Sequence, residues 1–99
     1  MKVWIYCYAE QHQLDKRETK MLKFASERRM EVIEISKVTP QEETCLTDIL
    51  KEITKVRGDG IIIYNMEELP LEDRMLLIDY IHQRKITIFC CKYAGKEVV

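Results

Sequence analysis

The chain has 99 residues, the length of one domain, so a single domain spanning 1–99 is expected. Hydrophobic residues make up 46% and charged residues 33%, which excludes a disordered polar chain. Lys+Arg number 16 against Asp+Glu 17, a net charge of -1, which excludes a whole-molecule basic field able to hold nucleic acid by charge alone. No apolar run reaches the roughly 18 residues of a membrane helix, and the apolar opening Met1–Tyr8 is too short for a signal peptide. A soluble, cytoplasmic domain with no membrane partner is expected.

Val3 to Tyr8 is an unbroken apolar run rich in β-branched and aromatic residues, as in a central parallel strand covered on both faces. The polar stretch Ala9–Gln13 leads into a helical pattern. Leu14, Met21, Leu22 and Ala25 make one stripe, widened by Phe24, and Lys16, Arg17, Lys20, Lys23 and Glu27 cover much of the rest. Met30–Ile35 reads as a second strand. Thr39-Pro40-Gln41-Glu42 has the chemistry of a helix start: a capping threonine, proline at the first helical position and Glu42 three residues after the cap. Leu46, Ile49, Leu50, Ile53 and Val56 are the buried stripe of this second helix, and Gly58 stops it. Ile61–Tyr64 is a short third strand. Leu69-Pro70 precedes a third helix, about Leu71 to Arg84, with Glu72 and Asp73 where the helix dipole favours acids. Leu71, Met75, Ile78 and Ile81 lie on one side of it, and Leu76, Leu77 and Tyr80 extend its apolar surface. Ile86–Cys91 is the fourth strand, and Lys92–Val99 a tail or short edge strand. The order βαβαβαβ implies a three-layer α/β fold: a mostly parallel sheet of four or five strands with helices on both faces.

Ligands of such sheets bind beyond the carboxyl ends of the strands, where strand order reverses. Here those ends are Tyr8–Gln13, Ser36–Pro40, Tyr64–Leu69 and Cys91–Gly95. The first loop has no glycine and cannot cradle phosphate as a dinucleotide or Walker loop does. Glu10, Glu67 and Glu68 are expected to form an acidic patch, with His12 nearby. The four cysteines, Cys7, Cys45, Cys90 and Cys91, lack paired metal-ligand spacing and are expected to be reduced thiols, with Cys90 and Cys91 on opposite faces of a strand. No metal and no cofactor is expected. Cys7, inside a strand, should be protonated and hidden rather than nucleophilic.

Lys2-Val3-Trp4-Ile5-Tyr6-Cys7-Tyr8, the long first helix and Met30-Glu31-Val32-Ile33-Glu34 resemble the catalytic domain of serine recombinases, the resolvase/invertase family. Gly60-Ile61-Ile62-Ile63-Tyr64-Asn65-Met66-Glu67-Glu68-Leu69 is similar to that family's third strand and following loop, and Leu76–Ile88 to its next helix and strand. The resemblance covers nearly the whole chain as a pattern of hydrophobic positions and lengths. It implies that Tyr8 stands where the family keeps an arginine, Glu10 at the nucleophilic serine, Glu67 at an aspartate, and Glu68 and Leu71 at further arginines. A carboxylate at a cationic position, Glu68, repels phosphate, and a carboxylate at position 10 cannot form a phosphoserine link. The resemblance therefore implies a recombinase-like domain, of bacterial or phage origin, that is not an enzyme.

Three functions compete. The first is a catalytically inactive domain acting by protein–protein contact, as a homodimer or on a DNA-recombination partner, with Leu76, Leu77 and Tyr80 as the candidate interface. The second is a small DNA-binding accessory factor using Lys16, Arg17, Lys20 and Lys23 on helix one, with Arg28 and Arg29 near its end. The third is a cation-dependent enzyme using Glu10, His12, Glu67 and Glu68.

Overall fold

A computed structural model of the chain describes residues 1–42, 46–83, 85–93 and 97–98. Cys45, Arg84 and Gly95, which figure in the sequence reading, lie outside the described residues. The elements are β1 (Lys2–Tyr8), α1 (Leu14–Glu27), β2 (Glu31–Val38), α2 (Leu46–Lys55), β3 (Gly60–Ile63), α3 (Leu71–His82), β4 (Thr87–Cys90) and β5 (Glu97–Val98). The sheet order is β2-β1-β3-β4-β5; the first four strands run parallel and β5 pairs antiparallel with β4. This is the expected mostly parallel α/β sheet, with the short edge strand at its end.

The alternation of side chains along each strand divides the core into two halves. Val3, Ile5 and Cys7 of β1, with Ile62 and Phe89, pack under Leu14, Met21, Phe24 and Ala25 of α1. Tyr6, Ile61, Ile63 and Ile88 pack on the opposite face, under Leu46, Leu50 and Ile53 of α2 and Leu77 of α3. Both faces of β1 are thus covered, which is why its sequence shows no polar alternation.

Several boundaries and stripes differ from the sequence reading. β2 runs on to Val38, so Lys37 and Val38 belong to a strand and not to the following loop. Thr39 and Glu42 do meet as a capping pair: the Thr39 Oγ1–H and N–H donate to the Glu42 carboxylate at 3.1 and 3.4 Å. They close a turn, in which the Glu42 N–H donates to the Thr39 carbonyl, and the described helix begins at Leu46. Val56 lies past the end of α2 and is 43% exposed. Leu22, placed on the α1 stripe, is exposed: at 3.6 residues per turn it sits about 80° from Leu14, outside the arc that holds Met21, Phe24 and Ala25. Cys90 ends β4 and Cys91 begins a 3-10 turn, so the two thiols do not alternate across one strand.

α1 and α2 end alike. In each, backbone hydrogen bonds close a Schellman pattern: Met30 N–H to the Ala25 carbonyl at 2.9 Å, and Gly58 N–H to the Ile53 carbonyl at 2.8 Å. The residue at the left-handed position is Arg29 in one (φ 55°) and Arg57 in the other (φ 57°). Glycine occupies such positions without strain, whereas a residue with a Cβ costs about 1 kcal/mol.

Candidate functional site

β1 is followed by a crossover to β2 on one side, while β3 lies on its other side, so the loops after β1 and β3 diverge at the carboxyl end of the sheet. An open cleft of about 370 Å³ lies there, lined by Tyr8, Ala9, Glu10, Gln13, Arg17, Pro40 and Glu68. Of the positions the recombinase resemblance singles out, Tyr8, Glu10 and Glu68 line this cleft. Glu67 is exposed in the 3-10 turn after β3, its N–H held by the Asn65 side chain at 3.2 Å, and Leu71 opens α3 with its side chain 62% exposed.

The expected acidic patch is rearranged by one cation. Arg17 forms a two-pronged ion pair with Glu68, its Nη1 on Oε2 and its Nη2 at 3.2 Å from Oε1. The same guanidinium lies over the Tyr64 ring, 4.3 Å from the centroid. The Arg17 hydrogen bonds, reinforced by the Asn65 side chain, hold the Glu68 carboxyl below its ordinary pKa. Glu10 is exposed and His12 is exposed on the adjacent 3-10 turn. Among the described residues, no three of His, Cys, Asp and Glu are placed to share a metal ion. The four groups of the cation-dependent enzyme reading are therefore not assembled, since Glu68 is paired with Arg17 and neither His12 nor Glu67 lines the cleft.

Arg17 is the cleft residue that the sequence reading placed elsewhere, in a basic ridge with Lys16, Lys20 and Lys23. The helical angle already separates it. Arg17 follows Leu14 by three residues and so lies about 60° from it, within the buried arc, whereas Lys16, Lys20 and Lys23 cluster on the far side. Only 14% of its side chain is exposed. The ridge is further reduced because Lys20 leans toward the Tyr64 ring at 5.9 Å and Lys23 pairs with Glu27 at 3.9 Å.

The candidate interface is corrected in the same way. Leu77 is fully buried in the core, and Leu76 and Tyr80 pack against it together with Ile81. Leu77 therefore offers no contact surface, and Leu76 and Tyr80 are half-buried against the core rather than a free row. The exposed apolar row lies elsewhere: Leu71 (62%), Met75 (58%) and Ile78 (42%), at i, i+4 and i+7. It sits about 150° around the helix from the core-facing arc, so α3 is apolar on two opposite sides.

No protein-family model matches the chain, and no curated protein matches it. Among solved structures the chain is similar to a resolvase family site-specific recombinase from Streptococcus pneumoniae, with a TM-score of 0.77 and 11% sequence identity over 98% of this chain and 75% of that one. The fold is therefore resolvase-like, as the hydrophobic pattern of the sequence implied. Among the described residues no helix is long and apolar enough to cross a membrane.

Proposed function

We propose that this chain is a cytoplasmic, recombinase-related domain without strand-cleaving activity, and that it works by docking its α3 surface against another protein, first of all a second copy of itself. The exposed row Leu71, Met75 and Ile78 carries this reading. A helix needs one apolar stripe to cover a sheet, and α3 has spent its own on Leu76, Leu77 and Tyr80. A second row of three large side chains in water is stabilised when a partner surface removes it from solvent, and under two-fold symmetry the row meets itself, apolar against apolar.

The cleft supports the non-enzymatic part of the reading. Serine chemistry on a phosphodiester requires a hydroxyl nucleophile flanked by free cations. Here Glu10 and Glu68 stand in the cleft, and the cation beside them, Arg17, is neutralised by Glu68. Self-association makes thermal stability concentration-dependent, because an oligomer draws on mass action. The melting temperature of the wild type is expected to rise with protein concentration, and that of Met75→Glu/Ile78→Glu to stay flat with an unchanged far-ultraviolet spectrum. A melting temperature independent of concentration in both proteins rejects self-association.

A further inference from the structure

Cations stand at the amino ends of the four parallel strands, where Arg29 precedes β2, Lys2 opens β1, Arg57 precedes β3 and Lys85 precedes β4. The backbone ties these four positions into one edge: Glu31 N–H donates to the Met1 carbonyl, Asp59 N–H to that of Lys2, and Thr87 N–H to that of Asp59, at 2.7–3.0 Å. All four side chains are exposed, and among the described residues none of them joins an ion pair. Of the acids at this edge, Asp59 accepts the Lys2 backbone N–H at 2.6 Å and Glu31 is exposed; Glu34 and Glu52 share a groove with Lys2.

The two arginines are the informative residues. Both helix ends need a left-handed residue, glycine meets that need without strain, and both instead carry arginine. An unfavourable backbone state that recurs with the same cationic side chain at the same sheet edge points to a use for the side chain rather than for the turn. We infer that the amino-terminal edge of the sheet, through Arg29, Arg57, Lys85 and Lys2, binds the sugar–phosphate backbone of a nucleic-acid duplex. Three inter-strand steps of about 4.8 Å spread these cations over about 14 Å, a length of duplex that carries about eight phosphate charges. A single strand is the poorer fit, because base stacking needs free aromatic rings, and the rings at this edge are engaged: Trp4 packs against the core with its indole N–H on Ser36 Oγ, and Tyr80 packs against the core with Lys85 Nζ 5.2 Å from its ring centroid. The contact is made through phosphates, so it is independent of base sequence and leaves the cleft at the opposite end of the sheet untouched.

Fluorescence anisotropy with a labelled DNA duplex tests this. Four phosphate contacts predict roughly a hundredfold loss of affinity between about 50 and 200 mM salt. In Arg29→Gly/Arg57→Gly the duplex affinity at low salt is expected to fall at least about tenfold and the salt dependence to flatten by about two contacts. The same variant is expected to melt no lower than the wild type, because glycine relieves both left-handed positions. Failure of the wild type to bind at about 50 mM salt overturns the proposal. So does equal binding by the glycine variant, a loss that follows Lys16→Gln/Lys23→Gln on α1 instead, or binding to anionic phospholipid vesicles without binding to the duplex.

Discussion

The Cys7 thiol lies on the α1 side of β1 with no exposed surface, donates to the Leu14 carbonyl at 3.6 Å, and is pushed by burial up to a pKa of about 11. It is therefore a neutral, unreactive thiol at physiological pH, as its place in a strand suggested. Alkylation by iodoacetamide near neutral pH is expected to spare Cys7 in the folded protein and to modify it after denaturation. In the unfolded chain the thiol ionises near its ordinary 9.0, so its part of the folding stability falls as pH climbs above that value. Glu68 has the opposite sense. Its folded pKa is depressed by Arg17, so its stabilisation is complete above the ordinary 4.5 and is lost as pH falls through the depressed value. The carboxylate is 38% exposed, so solvent screening limits the effect of Glu68→Gln to under about 1 kcal/mol, measured as a small shift in a urea midpoint. Gly60 is the more severe position. A Cβ there would stand 2.5 Å from the Thr87 carbonyl oxygen, a backbone atom held by the β3–β4 ladder. Gly60→Ala is expected to cost at least about 2 kcal/mol in a denaturant titration, since the sheet has to part to admit the methyl group.

The elements differ in how much of their role the sequence displays. The central strands β1 and β3 are legible because Val3–Tyr8 and Ile61–Ile63 lack polar alternation, the mark of a strand covered on both faces, whereas β2 at the sheet edge carries Glu31, Glu34, Ser36 and Lys37 and its end is not legible. α3 was legible as a helix but not in its orientation. Its apolar residues surround the axis, so periodicity alone does not say which row meets the sheet: Leu77 is buried with Leu76 and Tyr80 packed beside it, and Leu71, Met75 and Ile78 on the other side are exposed. The two rows are separable by stability. Leu77→Ala empties a fully buried site and is expected to cost about 2–5 kcal/mol in chemical denaturation, whereas Ile78→Ala is expected to change monomer stability by less than about 1 kcal/mol. On α1 the helical angle from Leu14 puts Arg17 on the buried arc, away from its lysine neighbours. The ion pair with Glu68 remained invisible because the two residues are 51 positions apart, and only the fold brings helix one beside the loop after β3. The start of α2 differs from the capping signal because Thr39 and Glu42, which have the chemistry of a cap, use it to close a turn where the long β2 strand ends.

At the scale of the whole molecule the sheet has two chemically distinct ends and one unpartnered flank. The carboxyl end, where open parallel sheets place their ligands, holds a cleft whose cation is already satisfied, while the amino end presents arginines and lysines. The flank is the outer row of α3, and on it rests the claim that this resolvase-like fold acts by contact rather than by cleavage. Sedimentation equilibrium of the wild type beside Leu71→Glu/Met75→Glu, over a hundredfold range of protein concentration, decides between contact through this flank and a monomer. The wild-type mass is expected to rise from the 11.8 kDa of one chain toward twice that value, and the variant to stay at one chain throughout. A wild type that remains a monomer at every concentration, or a dimer that survives both glutamates, contradicts it.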